Sequence, residues 1–488
     1  MSRCKPILLI MAGLLIAGAA LICQIAFAAP QPIPPPEPAA RIYGLAHSES
    51  GSIASPSCAA SACHGGGAVG RKGSELTTWS PDLLGKGPTD PHSRAFRVLS
   101  NARSTDMAKA LGLKAAPSKS KLCLNCHSVP DAAPEQAAGG VGCSACHGPA
   151  EKWLAAHTQT GWKGLNNREK WDRYGFLPGT DLVARNLTCV KCHVGDATRE
   201  VNHDLIAAGH PRLTFESVRF HFHPSYRKHW IEKGDAADFE LRTWFVGQVV
   251  GVRAATELLR VRAQRAIADP VAPWPEFAGS SCYACHKGVG AEPSQSTVSK
   301  PAKALGNPPW ELWAISQFDA ASELRSEFYG DVELPAWKDT RTLRTLMEKR
   351  SPDPNAVAAA ATKALVEIDS WLAAIQAAHD SGRLPRPSTE LPSRLVHALA
   401  LLAIDTSSWD ALAGAYLGCA AGYHASGGKA RVPEWTDPLR ELGAELKFPA
   451  DRCGQRFDGP ADFGPAKLGR IRKQFRLLVD ATDTRSEP

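Results

Sequence analysis

Cys143-Ser144-Ala145-Cys146-His147, set within Gly140-Val-Gly-Cys-Ser-Ala-Cys-His-Gly-Pro-Ala150, is the stretch on which the reading of this chain turns. The same C-x-x-C-H spacing returns at Cys123-Leu-Asn-Cys126-His127, Cys189-Val-Lys-Cys192-His193 and Cys282-Tyr-Ala-Cys285-His286. Two cysteines about one helical turn apart, followed at once by histidine, suit c-type haem. The thiols reach the two vinyl groups, and the imidazole turns under the iron. A fifth site is expected at Cys58-Ala-Ala-Ser-Ala-Cys63-His64, where four residues separate the thiols. Five covalent haems c are therefore expected, with His64, His127, His147, His193 and His286 as proximal ligands.

Paired C-x-x-C units also build structural zinc sites. Here every second cysteine is followed by histidine and the chain begins with an export segment, which opposes zinc. Disulfides within such short pairs would close small loops that constrain little and would not require the histidine.

Ten of the 14 cysteines fall in these five clusters, within 488 residues that are 44% hydrophobic and 22% charged. Those proportions describe an ordinary globular chain of two or three domains and exclude disorder throughout. Residues 1–29 carry Arg3 and Lys5, an apolar run from Ile7 and the small-x-small sequence Ala26-Phe27-Ala28, a bacterial export pattern. The run is long enough for an uncleaved anchor, so a membrane tether through this helix stands beside cleavage. Pro-rich residues 30–42 follow as an extended spacer. Either way, a periplasmic location is expected.

After the export segment only Met107 and Met347 remain, against 16 histidines in the chain. Thioether ligation is thus nearly excluded and a second histidine on most irons is the expectation. The nearest histidines are His47, His92, His157, His203, His210, His221, His223 and His229. His92, His157, His203 and His210 are the expected distal ligands. His203 and His210, seven residues apart, would share a face on a helix and are expected to serve different haems. His379, His397 and His424 lie in Ala/Leu-rich helical sequence and read as packing residues.

With these residues in view, the N-terminal half resembles the cytochrome c554 and c-prime family of multihaem cytochromes. The resemblance rests on Ser-Ala-Cys-His-Gly-Gly at 61–66, Asp-Pro-His-Ser-Arg-Ala at 90–95, the 140–150 run, and the stretch from Cys189 through Val-Asn-His-Asp-Leu-Ile-Ala-Ala-Gly-His-Pro-Arg-Leu213. It spans roughly residues 43 to 290. It implies closely packed, mainly bis-histidine haems passing electrons through porphyrin edges, and it supports His92, His157, His203 and His210. The widened first motif departs from the family, as does a count of five where its better-known member carries four.

The fold expected is mainly α. A pentahaem cytochrome c domain with little regular strand covers 43–290, a linker covers 291–307, and a haem-free helical bundle covers 308–488. Apolar periodicity places helices at Trp310 to Phe328, at Asp353-Pro354 through His379, and at Ser393 to Ile404, Ser407 to Tyr423, Pro438 to Leu446 and Pro465 to Val479. Another runs from Asp238 to Ala268, with Arg253, Glu257, Arg260 and Arg265 on an outer face that is either solvated or paired with haem propionates. Trp310, Trp313, Trp337, Trp371, Trp409 and Trp435 read as core or haem-packing residues. Cys419 and Cys453 are expected to form a disulfide, with two buried thiols as the alternative.

The formal charge of +7 gives no support for nucleic-acid binding, and the Gly65 to Gly73 stretch lacks the Gly-Lys-Ser/Thr order of a phosphate loop. The function expected is a periplasmic electron carrier working between redox-partner proteins. The alternative is an oxidoreductase acting on a small nitrogen or sulfur oxyanion at one open haem. No motif here replaces the proximal histidine by lysine, the signature of the related ammonia-forming nitrite reductases.

Overall fold

A computed structural model of the chain describes residues 42–43, 45, 58–68, 71–80, 90–129, 134–222, 226, 229, 236–280, 282, 310, 313–330, 339–382, 384, 386–446 and 463–483. The export segment, nearly all of the proline spacer, the 291–307 linker, His47, His223, Cys285, His286, Trp337 and Cys453 lie outside these residues. Among the described residues there are helices and turns, with one isolated bridge between Asp196 and Arg199. None of these helices is long and apolar enough to cross a membrane.

Three short helices carry haem motifs: α1 (Lys121–His127), α2 (Cys143–His147) and α3 (Leu182–His193). The spine is α4 (Ala236–Ala268), 33 residues and so about 50 Å long. Its Leu241, Phe245, Val249, Val252 and Leu259 are buried, as the 3.6-residue period requires. It packs against α3, α5 (Pro354–Asp380) and α7 (Trp409–Ala425), while α6 (Leu391–Asp405) packs on α7 and on α8 (Pro465–Thr482). One buried core thereby runs from Ile42 to Leu478.

Residue choice explains the helix starts. Asp353 caps α5 by accepting from the Asn355 amide, with Pro354 in the first turn; Ser408 caps α7 through the Ala411 amide. Against expectation, Trp310 to Phe328 does not form one helix. Residues 313–317 are turns, and helices run Phe318–Glu323 and Arg325–Tyr329 with a break at Leu324. The apolar stretch is buried whether or not it is helical, so periodicity alone overextended it. Gly247 explains a close approach: a Cβ there would stand 2.3 Å from the Ser217 Cβ, so glycine lets residues 217–222 lie against α4.

Trp310, Trp313, Trp371, Trp409 and Trp435 are all buried. The α4 arginines turn out to be held by protein carboxylates: Arg253 Nε lies 2.7 Å from Asp369 Oδ1, Arg260 pairs with Glu257, and Arg265 Nη1 lies 2.6 Å from Glu200 Oε2. Cys419 is fully buried with its thiol directed at the Val396 carbonyl.

Candidate haem-binding site

Of the three motif helices, α3 is held by the C-terminal helices. Asp181 caps α3 by accepting from the Ala184 amide at 2.7 Å, and the same Oδ1 accepts from Gln376 Nε2 of α5 at 2.9 Å. Gln376 in turn accepts from the Tyr43 amide. Farther along, Arg212 and Asp410 form a part-buried two-point ion pair, Nη1 to Oδ1 at 2.8 Å and Nη2 to Oδ2 at 2.5 Å. The position of the Cys189-Val-Lys-Cys192-His193 helix is thus set by residues almost two hundred positions later.

Each motif histidine of the first four sites faces one other histidine. Ring centroids are 6.2 Å apart for His64 and His157, 6.4 Å for His127 and His210, 5.9 Å for His147 and His229, and 6.2 Å for His193 and His92. A five-membered ring with bonds of about 1.33 Å places its nitrogen about 1.1 Å from the centroid. With metal–nitrogen bonds of about 2.0 Å, two imidazoles on opposite sides of one metal stand about 6.2 Å apart. All four pairs are at that separation.

Five of these eight imidazoles are hydrogen-bonded through Nδ1. His127 Nδ1 donates to the Ala95 carbonyl at 2.8 Å, His210 Nδ1 to Pro211 at 2.7 Å and His157 Nδ1 to Leu154 at 2.5 Å. Two others meet carboxylates: His64 Nδ1 and Glu75 Oε2 at 2.9 Å, His92 Nδ1 and Asp90 Oδ1 at 2.8 Å. Such contacts fix ring orientation and raise ligand basicity.

Burial holds most of these imidazoles neutral, the form that binds metal. It pushes His193 down to about 3 and His147 to about 4, and lowers His127, His210 and His229. At His92 burial is again the largest influence and acts downward, but the hydrogen bond and charge of Asp90, together with the charge of Cys192, outweigh it and the net shift is upward.

The thiols of different motifs adjoin. Cys58 meets Cys143, Cys126 meets Cys192, and Cys146 lies within charge range of Cys189 and Cys192. The motifs therefore follow one another in space as first, third, fourth, second. Alongside them runs a cavity of about 1200 Å³, lined by the thiols of the second and fourth motifs, His127, His193 and His210. It exceeds the usual range of about 300–1,000 Å³ for one small-molecule site. Among the described residues no group of three or more His, Cys, Asp or Glu gathers as a metal cage. Paired histidines beside an apolar cavity are the donor set for a porphyrin iron, whose equatorial ligands come from the macrocycle.

Of the four distal histidines expected, His92, His157 and His210 lie opposite motif histidines. His203 does not. It begins the helix His203–Ala207, its amide donates to Glu276 Oε1 at 2.9 Å, and its ring lies 6.4 Å from Phe277, just ahead of Cys282. His210 falls beyond that helix, after Gly209 at φ +108°, so the two do not share a helical face. His229, left outside the expected set, takes the place opposite His147, and nothing in its local sequence marked it. His221 is buried against Arg185, with Nη1 3.3 Å from Nε2. His379 and His397 are bonded to Tyr329 and Thr482. Cys282 is exposed; Cys285 and His286 lie outside the described residues.

Cysteine pairs each followed by an axial histidine define a c-type cytochrome, with covalently bound haem and a role in electron transfer. Residues 87–148 match the family model for cytochrome c554 and c-prime. The match takes in His92 and the second and third motifs. No curated protein and no solved structure matches the chain.

Proposed function

We propose that the protein is a periplasmic multihaem cytochrome carrying electrons between redox-partner proteins through five closed haems c, four of them held by the paired histidines. The observation that carries this is the set of four His–His separations between 5.9 and 6.4 Å, each joining a motif histidine to a second imidazole. Haem supplies a one-electron ferric–ferrous change at each site. The chain's own residues hold the axial nitrogens, exclude other ligands and set distances. The haems follow one another as the thiols do, first, third, fourth, second, a reading supported by the thiol adjacencies, and His203 lies beside Phe277 ahead of the fifth motif. Residues 43–290 bear the haems, and 308–488 serve as the scaffold that positions them. Residues 1–29 direct export, with cleavage or retention as an anchor.

The test is electron paramagnetic resonance of the oxidised holoprotein, with spins quantified against haem and protein. Five haems per chain, with the low-spin signal accounting for them, is expected. A high-spin signal near one iron per chain, altered by nitrite or hydroxylamine, would favour the oxyanion reductase instead.

A further inference from the structure

We propose that the face built by residues 91–129 is a docking surface for an acidic redox protein that exchanges electrons with the haem held by Cys123 and Cys126. This rests on the haem reading above. Within the 39 residues there are seven cationic side chains against the single carboxylate Asp106, so the segment holds +6 of the chain's formal +7. Arg94, Arg97, Lys109, Lys114, Lys119 and Lys121 are all exposed. Asp106 is itself engaged by Lys109 at 3.7 Å.

The tertiary structure gathers these charges. The turn Arg97–Ser100, the helix Ala102–Ala110 and the turn Pro117–Lys119 pack on one another, and α1 packs on Pro117–Lys119. Among the cations sit two exposed apolar side chains, Val98 at 41% and Leu122 at 43%, and both also line the haem cavity. Positive charge on the same segments as a small exposed apolar patch that lines the cavity fits a partner with carboxylates around its own cofactor. Charge steers the encounter, and apolar contact closes it over the haem edge. The two propionates of that haem, even if turned to this side, cancel only two of the charges.

The experiment uses the oxidised holoprotein and an acidic flavodoxin reduced to its hydroquinone. One electron passes from the anionic flavin hydroquinone to a ferric haem, leaving a ferrous haem and the neutral flavin semiquinone, with no proton released. The rate should fall about tenfold or more between low salt and a few hundred millimolar, where the screening length drops well below about 10 Å. At low salt the variant Lys114→Glu, Lys119→Glu, Lys121→Glu should be slowed about tenfold, while reduction by free riboflavin hydroquinone stays unchanged. A rate indifferent to salt, or a variant as fast as the parent, would overturn the docking surface. Haem on the peptide containing Cys123 and Cys126, measured by mass, reads the underlying assignment separately: its absence would sink the haem reading itself.

Discussion

His229 lies 5.9 Å from His147, ring centre to ring centre, although 81 residues separate them in the chain, and Phe176 stacks on His147 at 5.6 Å. Replacing His229 by alanine removes one imidazole and leaves the thioether bonds and the proximal side untouched. One iron per chain should then turn high-spin, and the other haems should stay low-spin. Paramagnetic resonance with spin counting reads this directly. An unchanged spectrum would mean that another group closes that iron.

The carboxylate on His92 should tune its haem. Asp90 is buried, and its Oδ1 accepts from both the amide and the Nδ1 of His92. That bond makes the imidazole a stronger donor and favours the ferric state. In Asp90→Asn the potential of one haem should rise by about 60 mV, a tenfold change for a one-electron couple. Spectroelectrochemical titration of parent and variant measures it; a fall in potential would contradict the assignment.

Stability should decline as pH rises through the range in which Asp181 ionises. Burial, aided by the charge of Asp380, pushes its carboxyl up to about 6 despite the opposing hydrogen bonds from Ala184 and Gln376. Unfolded, it titrates near about 3.9. The folded state therefore holds its proton more tightly, so the contribution is full below about pH 4 and is lost by about pH 6, amounting to about 3 kcal/mol. Melting temperatures of the holoprotein between pH 4 and 7 should flatten in Asp181→Asn.

Gly418 of α7 tests how the helices cross. A Cβ there would meet Leu399 Cδ1 at 2.4 Å and Trp244 Nε1 at 2.9 Å, atoms of α6 and α4. Gly418→Ala should cost about 1–3 kcal/mol through overpacking. Its melting point should drop while haem content and the paramagnetic spectrum stay as in the parent. A variant as stable as the parent would show that α6 can give way.

Much of the chemistry was legible locally. Attachment of a c-type haem needs residues within one turn, so Cys123, Cys126 and His127 announce themselves by spacing alone, as do the other motifs. The helices after Pro354 were legible for a similar reason, because apolar period and caps are local properties. His92 and His210 were legible from their nearness to the motifs in a chain almost without methionine, and the resemblance supported them.

Which imidazole faces which was decided by tertiary structure alone. His92 reaches forward to His193 and His157 back to His64, across 93 to 101 residues, and such partners come together only when the elements between them fold. His203 and His229 exchanged standing for that reason: one lies beside Phe277 and the other opposite His147. The role of the later helices was equally invisible, because Gln376 and Asp410 carry no signature of haem chemistry. They matter through long-range hydrogen bonds that set α3 and the segment leading to Arg212. The amino-acid sequence by itself determined the cofactor chemistry and the helical class, since both depend on neighbours in the chain. The pairing of the imidazoles, the spatial order of the motifs and the packing together of the basic segments that carry Val98 and Leu122 depend on neighbours in space.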